Sequence, residues 1–453
     1  MLVSFSVSNF RSIGEEQTLN LIASAKFEDH PGHLVSIGST GQKVVRAAVM
    51  YGANAAGKSN LVRAMKFAQS MIVNGPIPLA RSAVRFRFDN AFGSKPSSFE
   101  FRFLTLGQVF TYGFDVEARD ILAEWLTVLV DGEDQVVFER DRDGKTHLGE
   151  KATSIFSKDK KIGELLTAME MLPLRSTQLL LNRLATFPSE FLGKTLKAIL
   201  GWLTDQLLVI LPDHRSADLL DLLYEDTDFR QLAEHFLEAV GTGVGGLEFE
   251  TEEVDLEGPR ARFGASRSSR RLHDVKPKPD DPARGIRRQL LAIHPSSDSP
   301  AKLPFAEESD GTIQLLHLMP VLAAVPRGTK VVVIDELDRS LHPLLCWEFI
   351  RLFCETAPGA HKQLIVTTHE AHLLNQDLLR RDEYWFVEKD KRQQTQLASL
   401  SEFKVRNDLK IEKGYLQGRF GAIPFIGSMA EIERLLNPSD ANQEPSCPDD
   451  SAR

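Results

Sequence analysis

Cysteine is nearly missing from this chain: 453 residues contain three, Cys346, Cys354 and Cys447. Their spacing fits neither a disulfide framework nor a zinc site, so the thiols are expected to be reduced and incidental. Long apolar runs are also missing, and nothing approaches the roughly 18 residues of a membrane span. The opening MLVSFSVSNFRSIGEE lacks the basic, apolar, small-residue order of a signal peptide. A cytoplasmic protein with no membrane partner is therefore expected. There is no excess of positive charge: 54 Lys and Arg stand against 63 Asp and Glu, a net −9. That balance disfavours a sequence-independent nucleic-acid wrapper while leaving a local basic groove open. No heptad register survives three or four repeats, which excludes a long coiled-coil arm, and there are no internal repeats. What remains is an ordinary globular composition, 42% apolar and 26% charged, long enough for two or three packed units.

Hydrophobic period organises the chain. Residues 2–7 alternate as a strand, and the apolar run 44–51 is a second strand that enters a glycine-rich turn. Leu61, Val62, Met65, Ala68 and Ile72 then recur at helical spacing. Between 84 and 137, VRFRFD, SFEFRFL, VFTYGFDVE and LTVLVDG read as antiparallel strands. An N-terminal lobe over 1–150 is assigned on this basis. Residues 151–245 read as a helical insertion. The polar stretch 246–290, with Arg, Lys, Ser and Pro dense over 260–288, reads as a loop. Its charge could touch nucleic acid, but a solvated linker is the favoured reading. A C-terminal lobe covers 291–436, with buried strands at 330–334, 363–367 and 384–388, and an acidic disordered tail covers 437–453.

The chemistry lies in the loops between these elements. GANAAGKS places Gly52, Gly57, Lys58 and Ser59 at P-loop spacing, after a strand and before a helix. The glycines let backbone N–H groups of Asn54, Ala55 and Ala56 curl around phosphates. Lys58 supplies a point charge, Ser59 a magnesium ligand, and Asn60 follows on the helix. VVVIDE (331–336) is an apolar strand that delivers Asp335 to the magnesium shell and Glu336 to the attacking water. VTTH (366–369) places His369 after another apolar strand, where it can sense the γ-phosphate. HEAH is not a zinc-protease motif, since His369 and His372 are three apart rather than four. ESDGT (308–312) opens an apolar helix; Ser309 can cap it and, with Asp310 and Gly311, offer N–H groups to a phosphate.

In this order the motifs resemble the heads of ABC-type ATPases, in the branch of the SMC and overcoming-lysogenization-defect enzymes. The resemblance implies an α/β P-loop head with a β-rich subdomain and a helical insertion. It also implies that SNFRS (8–12) brings Arg11 to the nucleotide, and that DRSLH (338–342) is a D-loop whose Asp338 crosses to an opposing subunit. The Q-loop glutamine is not assigned, Gln108 being only a candidate. More narrowly, MYGANAAGKSNL, YGF at 112–114, ESDGT and YLQGRFGAIPF at 415–425 resemble the stand-alone ATPases of the AbiL/RloA type, including the ATPase component of the PARIS anti-phage system. The lysogenization-defect enzymes carry a TOPRIM nuclease after the head. Here about 80 residues follow His369 with no DxD pair, so the chain is expected to cut nothing itself.

The expected protein is an ATP- and Mg2+-dependent ATPase. It pairs with itself, at least as a dimer, with each ATP between Lys58 of one copy and Ser309–Gly311 of another. The resemblance implies a separately encoded effector, most often a nuclease, and a phage-encoded trigger. Two other classes stay open: a DNA-repair head, and a nucleotide-gated scaffold with negligible turnover.

Overall fold

The structure is a computed structural model that describes residues 1–38, 40–75, 85–150, 175–188, 190, 192–212, 219–255, 272–278, 281–324, 330–356, 361–403 and 411–422. Alternating β-branched and aromatic residues build the first layer. Strands β1 (Leu2–Ser8) and β2 (Gln17–Asn20) pair antiparallel, followed by a small ribbon of β3 (Leu34–Ser36) and β4 (Lys43–Val45). Strand β5 (Ala47–Tyr51), buried throughout, leads by a short loop into helix α1 (Lys58–Asn74). A meander of β6 (Ser97–Thr105), β7 (Gln108–Glu117), β8 (Asp120–Val130), β9 (Glu133–Arg140) and β10 (Thr146–Leu148) follows. It joins β1 and β2 in a seven-stranded antiparallel sheet ordered β10-β9-β8-β7-β6-β1-β2. At two of its hairpins, Leu106–Gly107 and Asp131–Gly132, both residues take positive φ, as two-residue turns between twisted strands require.

Three expectations about this part need correction. Residues 85–89 of VRFRFD are not a strand; they run without ladder partners into a short turn, Asn90–Phe92, capped by Asp89. The stretch read as helical does contain α2 (Leu180–Ala185), α3 (Lys194–Gly201), α4 (Leu219–Glu225) and α5 (Thr227–Ala239). Yet β11 (Leu207–Ile210) lies among them and pairs in parallel with the strand of VVVIDE. A continuous apolar run of four carries no period, so nothing in LLVI separates strand from helix. The polar loop is also partly sheet. Strands β12 (Gly246–Asp255), β13 (His273–Lys278), β14 (Asp281–His294) and β15 (Ala301–Pro304) form an antiparallel unit. Its arginines are used internally: Arg288 is buried and bonds Asp221 at 2.6 Å and Asp274, while Arg287 pairs with Glu252. Residues 151–174, 260–271 and 423–453, which carry the rest of these expectations and the acidic tail, lie outside the described residues.

The remaining elements are α6 (Asp310–Ala324), β16 (Lys330–Ile334), α7 (Pro343–Glu355), β17 (Lys362–Thr367), β18 (Tyr384–Lys389), β19 (Thr395–Ser399) and α8 (Ile411–Leu416). They complete a six-stranded sheet, β11-β16-β17-β5-β18-β19, parallel except for β19. Residue parity divides its two faces. Ala48, Met50, Val331, Val333 and Ile365 pack with α1 against the antiparallel sheet. Ala47, Val49, Val332, Ile334, Leu364 and Val366 pack against α6 and α7. A parallel sheet needs both faces covered, and burying each such Val, Ile or Leu side chain contributes about 1.5–3 kcal/mol. The architecture is α/β with a β-rich sheet beside the parallel core, as the motifs implied. No helix among the described residues is long and apolar enough to cross a membrane. The parallel arrangement brings the carboxyl ends of β5, β16 and β17 to one edge, and the motif loops leave from there.

Candidate functional site

Close packing forces the shape of the loop after β5. A Cβ on Gly52 would lie 2.3 Å from the Val387 carbonyl oxygen, and one on Gly57 would lie 2.0 Å from Thr395 Oγ1. Gly57 also takes φ +117°, and Ala55 takes φ +64°. Only glycine tolerates the first two positions, and the left-handed turn it permits starts α1 at Lys58. The first N–H groups of that helix have no partner within the helix, which makes its start an anion seat. Thr395 on β19 holds the loop from behind. Its hydroxyl donates to the Ala56 carbonyl at 2.9 Å and meets Ser12 Oγ at 2.7 Å, and Asn60 Nδ2 donates to Ser12 Oγ at 2.7 Å.

Lys58 Nζ donates to the carbonyls of Gly52 at 2.5 Å and Ala53 at 3.3 Å. Burial lowers its pKa to about 8, partly offset by the carboxylates of Asp338, Asp335 and Glu336. Ser59 Oγ donates to Asp335 Oδ1 at 3.1 Å, and Thr367 Oγ1 donates to the same oxygen at 2.7 Å. Asp335 is 2% exposed, and its other oxygen, Oδ2, is buried with no hydrogen-bond partner. A buried carboxylate oxygen in that condition needs a cation or ordered water. With the Ser59 hydroxyl beside it, the pair suits a magnesium ion that takes its other ligands from phosphate and water. Among the described residues no three His, Cys, Asp or Glu side chains form a cage of their own.

Glu336 leaves β16 at φ +56°, and its N–H donates to Thr367 Oγ1 at 2.7 Å. Asp338 Oδ2 accepts from the His369 N–H at 3.0 Å. His369 Nδ1 lies 3.5 Å from Lys58 Nζ. Burial first, then the Lys58 charge, hold the His369 pKa below its ordinary value, so the ring is neutral near pH 7. One cavity of about 580 Å³ is lined by the loop from Ala53 to Asn60 together with Arg11, Glu336 and His369. Arg11 enters at φ +55°, and burial and the neighbouring Arg63 lower its pKa.

Two sequence candidates lie away from this cavity. Gln108 is exposed beside a β6–β7 hairpin tip and does not line it, so the chain offers no support for Gln108 as a Q-loop residue. Ser309, Asp310 and Gly311 are also elsewhere. Ser309 Oγ caps α6 by accepting from the Thr312 N–H at 3.1 Å, and Ser309 and Asp310 are exposed. Gly311 packs against the DRSLH loop, where an added Cβ would lie 2.7 Å from the Ser340 carbonyl oxygen. Sequence reasoning missed Arg63, Arg87, Phe88 and Lys389, all lining the cavity. Arg63 was within reach, because it follows Ser59 and Asn60 by one helical turn. Thr395 has no sequence signal at all.

Among solved structures, the chain is similar to the "SMC head domain from Thermotoga maritima" at 12% identity and TM-score 0.37, covering 88% of this chain and 98% of that one. It is also similar to an Smc head domain with an extended coiled coil bound to the C-terminal domain of ScpA derived from Pyrococcus furiosus, at 12% identity and TM-score 0.37, covering 92% and 98%. These values are too low for either to guide residue roles. No curated protein matches the chain. A family profile does match, over residues 47–375, which spans both the P-loop and the VVVIDE strand. The chain therefore belongs to the P-loop ATPase-type family described as "AAA domain, putative AbiEii toxin, Type IV TA system".

Proposed function

We propose that this protein is an ABC-type ATPase that works as a switch. Two heads close on ATP, hydrolysis separates them, and the cycle controls a separately encoded effector in anti-phage defence. The observation that carries the reading is the convergence of Lys58, Ser59, Glu336 and His369 on one cavity, with Asp335 hydrogen-bonded to Ser59 behind it, while Ser309 and Asp310 sit exposed outside it. In this reading Lys58 and the P-loop N–H groups hold the phosphates. Bound magnesium, on Ser59 and Asp335, supplies charge neutralisation on the phosphate oxygens. Glu336 accepts a proton from the water whose oxygen attacks the γ-phosphorus, and the bond to the ADP oxygen breaks. Neutral His369 can accept from Lys58 at Nδ1 and donate from Nε2 toward the γ-phosphate. Ser309–Gly311 of a second copy close the other side, so ATP binds the paired state better and shifts the population toward it.

The defence assignment is supported by the family description, which names a toxin and a toxin–antitoxin system. The ion pairs that engage Arg287 and Arg288 weigh against the DNA-repair reading, since less of the basic segment is left to face phosphates.

The test is affinity purification of tagged Glu336→Gln protein from cells carrying the native gene neighbourhood. A stoichiometric neighbour-encoded protein, absent from the Lys58→Ala preparation, is expected. DNA recovered without a protein partner would overturn the effector reading. Undiminished ATP turnover by Glu336→Gln would remove that residue from the mechanism.

A further inference from the structure

We infer that the cavity contains a base-stacking platform, Phe88, and that Asn9 is the residue that positions it; the inference rests on the nucleotide reading of this cavity. Three phenylalanines lie close together in RFRFDNAF, and their fates differ. Phe86 is 2% exposed and Phe92 3%, whereas Phe88 is 66% exposed. The two buried rings meet edge to face at 5.3 Å and anchor the segment. Asn9, 1% exposed and at φ +47°, clamps both ends. Its Oδ1 accepts from the Phe86 N–H at 3.0 Å, and its Nδ2 donates to the carbonyls of Phe92 at 3.0 Å and Lys95 at 2.7 Å. Asp89 caps the turn that follows, accepting from the Ala91 N–H at 2.9 Å. Phe88 is therefore not exposed because its loop is loose. It is held out, on the wall of the cavity that contains Lys58.

Most of the lining suits phosphate: Arg11, Arg63, Arg87 and the P-loop N–H groups. Phe88 does not. A phosphate gains nothing from a benzene ring, whereas a nucleobase stacks on one, and does so whichever base it is. Lys389 Nζ lies over the Phe88 ring, 5.8 Å from its centroid, a cation–π contact that helps to hold the ring in place. The ligand of this subsite is thus the base of a nucleoside triphosphate, recognised by its flat face. SNFRS then acts at two places, since Arg11 faces the cavity directly and Asn9 sets the platform.

The test compares ATP with inorganic tripolyphosphate, which has the same phosphate chain and no base. Binding of both is measured in Mg2+ for wild type, Phe88→Ala, Phe88→Tyr and Lys58→Ala. Phe88→Ala should weaken ATP about tenfold, within the range of losing one base–aromatic stack, and leave tripolyphosphate unchanged. Phe88→Tyr should restore ATP affinity to within about twofold, since its ring stacks equally well. Equal losses for the two ligands would mean that Phe88 only supports the loop, and unchanged ATP affinity would mean that the base binds elsewhere; either overturns the platform. If Lys58→Ala binds ATP like wild type, the nucleotide reading of the cavity fails and this inference fails with it.

Discussion

The P-loop end and the ESDGT end of this chain are built to different degrees of completion. At the first, Ser59, Asp335, Thr367 and Glu336 are linked by hydrogen bonds, Lys58 is bonded to the loop carbonyls of Gly52 and Ala53, and the glycines leave no room for another atom. At the second, Ser309 caps its own helix and Gly311 rests on the Ser340 carbonyl, yet the outward side of the loop is exposed. Both backbones are supported from behind, and the first faces a cavity of its own. A loop with rigid backing and an open front is what half of a shared site looks like before the other half arrives. In the proposed cycle a second copy supplies that front, and the contrast separates what one chain does from what two do.

The largest effect is expected where the single-chain half is broken. Lys58→Ala removes the only lysine on the P-loop and leaves the carboxylates of Asp335, Glu336 and Asp338 nearby without it. ATP affinity should fall roughly hundredfold or more, the scale of truncating a desolvated charge pair. Calorimetry measures it, with circular dichroism to show that the fold persists. Binding at the wild-type level would remove the cavity from consideration.

Breaking the other half should do something different. Ser309→Arg places a bulky cation on the exposed loop without touching the P-loop. One chain should bind ATP within about twofold of wild type, because nothing in the P-loop cavity has changed. Turnover should fall by about a hundredfold, the cost of losing oriented donors to a developing charge. ATP-dependent pairing of the Glu336→Gln protein should also be lost, as read by sedimentation velocity. If ATP still draws Ser309→Arg chains together, the loop is not part of the shared site, and the contrast between the two ends means nothing for assembly.

How legible each end was in the sequence follows from the same contrast. The P-loop and VVVIDE state their chemistry in contiguous residues, so strand, loop and helix could be read in order and were found in that order. Asp335 and Ser59 are far apart in the chain, yet each announces its role by its own motif. Thr395 does not: it acts only because β19 passes behind Gly57, and no local pattern encodes that passage. VRFRFD was expected to be a strand; in the structure Asn9, from a distant segment, accepts from the Phe86 N–H, and Phe88 is exposed. Likewise β11 was hidden because its identity depends on a parallel partner, β16, more than a hundred residues later. Local text encodes what local geometry performs, while tertiary pairing decides the rest.

The smallest expected effect concerns the charge on Lys58, and it sharpens the account of the completed end. Burial holds the Lys58 pKa at about 8 against an ordinary value of 10.5. Phosphate favours the ammonium, so the pKa of the bound state is higher than that of the free state. Binding therefore takes up a proton at a pH between the free and the bound values, and none well below the first or well above the second. Affinity should be flat up to about pH 8 and then fall, by about tenfold between pH 7 and pH 9. His369 does not interfere, since its pKa is lowered and it is already neutral across this window. Lys58→Arg provides the control, because a guanidinium keeps its charge throughout; whatever affinity it retains should lose the slope. A slope that survives in Lys58→Arg would assign the titration to another group. A flat wild-type profile would mean that the Asp335, Glu336 and Asp338 carboxylates outweigh burial and keep Lys58 charged.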